Sequence, residues 1–139
     1  MMRQLSIFTE NTKGNMNELT RVLKDAGVNM NTLVANDSAE FGIIRMLVSD
    51  ADLACRALRD AGYQCRVNEV LAVEISDDCG SLHQLLNDIT EGNININYLY
   101  VTYNNLSKNP VAIFHTVDLP EVEEFLEGRG YQLVSSVTD

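Results

Sequence analysis

Glu10-Asn11-Thr12-Lys13-Gly14, an amphipathic run that begins at Asn15, and Gly27-Val28-Asn29-Met30-Asn31 form the stretch that decides how this chain is read. Before it, residues 4–9 predict a short strand, with Leu5 and Ile7 alternating against Ser6. Residues 11–14 have the polar, glycine-containing chemistry of a loop. From Asn15 the apolar residues Met16, Leu19, Val22, Leu23 and Ala26 recur at helical spacing, and Gly27 stands where a glycine ends a helix. The order is strand, glycine loop, helix, short turn, strand.

The same order returns further on as Ser76-Asp77-Asp78-Cys79-Gly80, a helical stripe of Leu82, Leu85, Leu86 and Ile89, and Gly92-Asn93-Ile94-Asn95-Ile96-Asn97. Gly14 and Gly80 are as far apart in the chain as Asn29 and Asn95, so the two copies run in register as an internal repeat. Residues 32–36 and 42–48 predict a hairpin turning at 37–41. Ser49 with Asp52 reads as a capping box for a helix that carries Leu53, Ala54, Ala57, Leu58 and Ala61 and stops at Gly62. Residues 64–68 predict the next strand. In the second copy the strand is 71–75 and the hairpin is 96–103 with 110–117, around a longer turn at 104–109. The last helix is capped by Asp118 and Glu121 and buries Val122, Phe125 and Leu126. Gly130-Tyr131-Gln132 matches Gly62-Tyr63-Gln64 at an offset two residues longer, which puts an insertion in the hairpin turn, where it costs least.

Each half, 1–69 and 70–139, therefore predicts a βαββαβ unit of the ferredoxin-like kind, an α+β class. Right-handed crossovers leave the second strand of each half at an edge. We expect one eight-stranded antiparallel sheet with four helices on one face, its two edges paired through 33–36 and 99–102. Val111 and Ile113 on one side of a strand and Ala112 and Phe114 on the other leave no polar face. A helix-free face packed on a second copy, hence a homo-oligomer, is the expectation from that pattern.

The 139 residues carry 45% hydrophobic and 22% charged side chains, the composition of a globular domain or of two small ones. A formal charge of −10 argues against nucleic acid and against an anionic membrane surface as partners. The N-terminal Met-Met-Arg-Gln-Leu-Ser lacks a secretory h-region and no apolar run is long enough to span a bilayer, so the cytoplasm is the expected location. Cys55, Cys65 and Cys79 show no C-x-x-C, and neither a disulfide framework, a metal site nor a cofactor is predicted.

Two glycine loops, each opening a helix, are places to hold a small anionic group through backbone N–H donors. Asn11 and Asp77 also suit plain helix-entry turns. Cys79, just before a helix, has His83 four residues on, which reads either as a loop cysteine or as a nucleophilic pair. His115 reads as a satisfied sheet residue, and Glu121, Glu123 and Glu124 as a solvated helix face.

The pattern of strand, Asn/Asp-x-x-Gly, helix and Gly-x-Asn-Ile/Met resembles the ACT domain, a regulatory module that binds small molecules. The resemblance runs twice, from about Gln4 to Val134. In serine-sensing members the loop reads His-Glu-Asn-x-Pro-Gly followed by Gly-Val-Asn-Ile. Glu10-Asn11, Gly14 and Gly27-Val28-Asn29 keep that pattern, while Thr9, Lys13 and Met30 depart from it. The resemblance implies a non-catalytic sensor of a free amino acid or related metabolite, with the ligand held between a glycine loop and the neighbouring unit. In the first repeat it implies Asn11, Thr12, Lys13, Gly14, Asn15, Met16, Asn29 and Met30 as the ligand-binding set. In the second it implies Asp77, Cys79, Gly80, Ser81, Asn95 and Ile96. Backbone N–H groups at 14–16 suit a carboxylate, as does the Lys13 ammonium, and the Asn11 and Asn29 carbonyls suit an ammonium. The alternatives are a regulatory subunit docked on a separate biosynthetic enzyme, and a small enzyme using Cys79.

Overall fold

The computed structural model describes residues 1–10, 12–35 and 41–138. Asn11 and most of the predicted 37–41 turn lie outside the described residues. Eleven elements follow in order: β1 (Met2–Glu10), α1 (Asn15–Asp25), β2 (Met30–Ala35), β3 (Phe41–Val48), α2 (Ala51–Asp60), β4 (Gln64–Glu74), α3 (Ser81–Glu91), β5 (Tyr98–Tyr103), β6 (Pro110–His115), α4 (Leu119–Gly128) and β7 (Gln132–Leu133). The chain divides into two compact units, Arg3–Asn68 and Glu69–Asp139 with Met1–Met2.

In the unit of Arg3–Asn68, β1 lies between β3 and β4, and β2 closes the series at an edge, bonded to β3. Both ladders of β3 are antiparallel: Leu5 faces Met46, and Leu33 faces Met46 from the other side. Alternation puts Leu5 and Ile7 of β1, Ile44 and Met46 of β3 and Cys65 of β4 on one face. Leu19 and Leu23 of α1 and Ala54, Cys55 and Leu58 of α2 pack on that face to make one core. The opposite side of β1 buries two polar residues beside Met2: Gln4 donates to the Ser6 hydroxyl at 3.1 Å, and Ser6 donates to Asn68 Oδ1 at 2.8 Å.

The unit of Glu69–Asp139 repeats the plan. β4 pairs with β6 on one side, Leu71 facing Phe114, and with β7 on the other. β5 pairs with β6 and ends the series. Leu71 and Val73 of β4 and Ile75 just after it, with Ala112 and Phe114 of β6, meet Leu85 and Ile89 of α3 and Val122 and Leu126 of α4. The ferredoxin-like order of strands is thus formed twice.

Two expectations need correction. The strands foreseen at 64–68 and 71–75 are one continuous strand of 11 residues, giving seven strands instead of eight. No glycine, proline or turn residue separates Asn68 from Val70, and nothing in the local chemistry breaks the extended chain. Among the described strands β2 bonds only to β3 and β5 only to β6, so the ladder expected between 33–36 and 99–102 is not formed. Val111 and Ile113 are fully buried within the single chain. The all-apolar alternation of β6 is thus buried on both sides without a second copy.

Candidate ligand-binding site

Both glycine loops enter their helices in the same way. Gly14 (φ 82°, ψ −5°) and Gly80 (φ 90°, ψ −2°) are the N-cap residues of α1 and α3, in left-handed backbone that side-chain-bearing residues rarely adopt. Among the described residues neither helix receives a side-chain cap. The first-turn N–H groups beyond Asn15 and Ser81, whose amides close turns onto Thr12 and Asp78, therefore remain open to an acceptor. By contrast α2 and α4 are capped, through Asp50 accepting from Leu53 N–H at 3.0 Å and Asp118 from Glu121 N–H at 3.3 Å.

The capping of α2 differs from the sequence reading, which gave it to Ser49. Ser49 instead holds the α1–β2 turn, its hydroxyl accepting from Asn29 N–H at 3.0 Å and its own N–H donating to the Asn29 carbonyl at 2.9 Å. Thr116 takes the matching place in the second unit, donating to the Asn95 carbonyl at 2.8 Å. The two repeated asparagines thus sit in turns fastened to the hairpin. Asn29 keeps its amide for Asn31 Oδ1, 3.3 Å away; Asn29 is exposed and Asn31 half-buried.

The glycine loop and its paired asparagine do not converge within either unit. They stand at opposite ends of an 11-residue helix, about 15 Å apart by the helical rise. In the second unit the two ends carry separate hollows. One, of about 260 Å³, lies beyond the C-terminus of α3 among Asn93, Asn95, Thr116, Asp118 and Phe125. There Asp118 raises the neighbouring Glu121 carboxyl above its usual range. The other, of about 400 Å³, lies at the N-terminus of α3 among Glu74, Ser76, Ser81, Gln84, Asn109 and Tyr131.

Asn15 and Ser81 correspond in the repeat, but their surroundings differ. The Asn15 amide donates to Thr9 Oγ1 and, at 2.8 Å, to the Glu10 carbonyl, while its carbonyl accepts from the Tyr63 hydroxyl at 3.1 Å. Burial raises the Tyr63 phenol above its usual value. Asn15 is thus a latch across the first loop, a structural role that its place in the predicted binding set did not reveal. In the second unit the Ser81 hydroxyl is bonded instead to the Ser76 hydroxyl, at 2.6 Å. Tyr131, the counterpart of Tyr63, turns away and donates to Asp88 Oδ2.

Asp88 also takes Arg129 Nη1 at 2.9 Å, and Arg129 reaches Glu91 at 2.7 Å. Tyr131, then Gln84 and Arg129, hold the Asp88 carboxyl below the usual carboxylate range. Burial and the Asp88 charge push the Tyr131 phenol up to about 12. This cluster was not foreseen; the only sequence signal was the Tyr63/Tyr131 match.

Of the remaining predicted residues, Thr12, Lys13, Met16 and Met30 are exposed, as are Asp77 and Cys79, and Ile96 packs beside the second core. Met16 is 43% exposed, so it does not belong to the buried stripe of α1 as expected. Cys79 makes no hydrogen bond to His83 among the described residues, and His115 is engaged by Asn97 at 2.9 Å and stacked on Tyr98. Among the described residues no group of three or more His, Cys, Asp or Glu is arranged to hold a metal ion, and no helix is long and apolar enough to cross a membrane.

Two ferredoxin-like units in tandem, each with a glycine-loop helix entry, define a class of paired α+β domains. The chain belongs to the family of ACT domain pairs, whose family model matches residues 1–135. Among solved structures it is similar to protein BT0572 from Bacteroides thetaiotaomicron, at 29% identity, covering 98% of this chain and 93% of that one, with a TM-score of 0.89. The regulatory subunits of aspartate kinase from Thermus thermophilus and Thermus flavus share the fold. They are 10% and 11% identical, with TM-scores of 0.63 and 0.64, covering 86% and 90% of this chain and 86% and 88% of theirs. No curated protein matches the chain.

Proposed function

We propose that this protein is a non-catalytic regulatory module that binds a free amino acid or close relative, seated in the hollow at the N-terminus of α3. The observation that carries the reading is that hollow itself: about 400 Å³ of space opening on a helix N-terminus whose cap residue is a left-handed glycine with no side chain. Membership of the ACT domain pairs and the fold shared with aspartate kinase regulatory subunits support a regulatory role. A ligand carboxylate takes the free N–H groups of the first turn, where the helix dipole adds roughly 0.3–2 kcal/mol. The Ser76 and Ser81 hydroxyls lie on the same side to donate to it. The ammonium is met by Glu74 and by the Asn109 side-chain carbonyl. Glu74 is half-buried and already accepts from the Ser107 hydroxyl at 3.0 Å, which fixes its carboxylate in place.

In this reading the first loop is the structural copy of the pair, closed by the Asn15–Tyr63 latch. A second reading, a subunit docked on a separate enzyme, is favoured by the edge strand β5 and the turn after it, where Val101, Tyr103 and Leu106 are 40%, 57% and 71% exposed. Calorimetric titration of the purified chain with the free amino acids tests the first reading. Binding that survives Asn95→Ala and is weakened by Ser81→Ala supports it; no heat from any amino acid moves the docked subunit ahead.

A further inference from the structure

We infer that Cys55 and Cys65 form a reversible dithiol–disulfide pair that, when oxidised, pins α2 to β4. The sequence offered no such reading, because the three cysteines are odd in number and the two concerned are ten positions apart. The fold brings them together: Cys55 faces inward from the middle of α2 and Cys65 faces the same core from β4. Their sulfurs lie 3.1 Å apart as free thiols, each residue 6% exposed, and Cys65 Sγ also reaches the Cys55 carbonyl at 3.4 Å. A disulfide needs about 2.0 Å between sulfurs, so bond formation asks for a closure of roughly 1 Å. The backbone on the β4 side is already held, since Arg59 of α2 donates through Nε at 3.1 Å and Nη2 at 2.8 Å to the Cys65 carbonyl.

The chemistry balances with hydrogen peroxide as oxidant, each thiol proton leaving with the departing hydroxide as water. One thiolate attacks the peroxide oxygen, giving a sulfenic acid and releasing water. The second thiolate then attacks the sulfenic sulfur, forming the S–S bond and releasing a second water. Two protons and two electrons leave the pair, and the peroxide is reduced. Burial and the neighbouring Cys55 push the Cys65 thiol up to about 12, so it stays protonated at neutral pH and the pair reacts only as the corner opens. The ring so closed contains Tyr63, whose hydroxyl holds Asn15 at the start of α1. Oxidation therefore fixes the base of the latch on the first glycine loop.

The test uses the full chain with the exposed Cys79 replaced, Cys79→Ser, to remove the one thiol outside the pair. After hydrogen peroxide, quenching and denaturation, titratable thiols should fall from two to none. The intact mass should drop by about 2 Da, the two hydrogens lost in forming the bond. A peptide joining Cys55 to Cys65 should appear without reductant, and the melting temperature should rise by about 5–10 °C, reversibly with dithiothreitol. Two thiols still titratable, mass gains from separate sulfinic or sulfonic acids, or a link between chains would overturn the assignment. The same peroxide-induced rise in a Cys55→Ala/Cys79→Ser chain would also overturn it, since that chain has no partner for Cys65.

Discussion

Gly92→Ala is the substitution whose outcome the structure fixes most tightly. Gly92 ends α3 at φ −76°, ψ 0°, a backbone that alanine adopts freely. By conformational entropy alone the change should stabilise by about 0.4–1 kcal/mol. The space says otherwise: a Cβ there would lie 2.6 Å from Phe125 Cζ, 2.8 Å from Cε1 and 3.0 Å from Ile94 Cδ1. Carbon atoms rest at about 3.5–4.0 Å, so the Phe125 ring has to retreat by roughly 1 Å. That ring is packed beside the second core, with the Arg129 guanidinium 5.0 Å from its centroid. Overpacking of this kind costs about 1–3 kcal/mol, and spoiling the cation–π contact about 0.5–1 more. The net expectation is a loss of about 1–3 kcal/mol, read as a lower urea midpoint with an unchanged slope. Shortening the ring in Gly92→Ala/Phe125→Leu should restore part of that loss, a coupling of at least about 0.5 kcal/mol. A neutral or stabilising Gly92→Ala would refute the packing described around the smaller hollow.

Other expected outcomes follow from the same coordinates. Asp50→Ala should cost about 0.5–2 kcal/mol by uncapping α2, and Asp52→Ala much less; equal losses in thermal melts would return the cap to the Ser49/Asp52 box. Because the folded Asp88 carboxyl titrates lower than in the unfolded chain, its contribution is complete above about pH 4 and disappears as pH falls through the folded value. Urea midpoints taken between pH 5 and 2 should therefore fall less for Asp88→Asn than for the parent, and parallel curves would contradict the cluster. On the alkaline side the folded Tyr131 phenol is raised to about 12, so its contribution holds below about pH 10 and is lost as pH rises through 12; Tyr131→Phe should flatten that limb. Gly80→Ala meets no atom within 4 Å, so its cost should be backbone strain alone, about 1–2 kcal/mol.

Much of the fold could be read from the residues because local signals agreed with one another. The stripe of Leu19 and Leu23, the alternation of Leu5 and Ile7 and the left-handed glycines at 27 and 62 all recur in the structure where their periodicity placed them. The continuous β4 was misread because a strand crossing from one unit to the next carries no punctuation of its own. At the end of α3 Asn93, at φ 55°, takes the left-handed position that Gly27 takes after α1, and Gly92 makes room for Phe125. The site was harder. Spacing identified Gly14 and Gly80 as helix entries and paired Asn29 with Asn95, but a linear pattern does not say that an 11-residue helix holds them apart. Nor could it say that Tyr63 and Tyr131, identical in sequence context, would choose different partners, Asn15 in one unit and Asp88 in the other. The Cys55–Cys65 approach is likewise a product of packing, invisible at ten positions' separation.

The most direct measurement is a melting-temperature screen of the full chain against the free amino acids, repeated on Ser81→Ala and Asn95→Ala. Occupation of the α3 hollow at about 100 times Kd adds roughly 2.7 kcal/mol to the native state, a rise of about 5–10 °C for a chain of this size. The expected result is one cognate amino acid giving that rise, a shift much reduced in Ser81→Ala and retained in Asn95→Ala. A full shift in Ser81→Ala, a shift abolished by Asn95→Ala, or no response to any amino acid would contradict ligand binding at the N-terminus of α3.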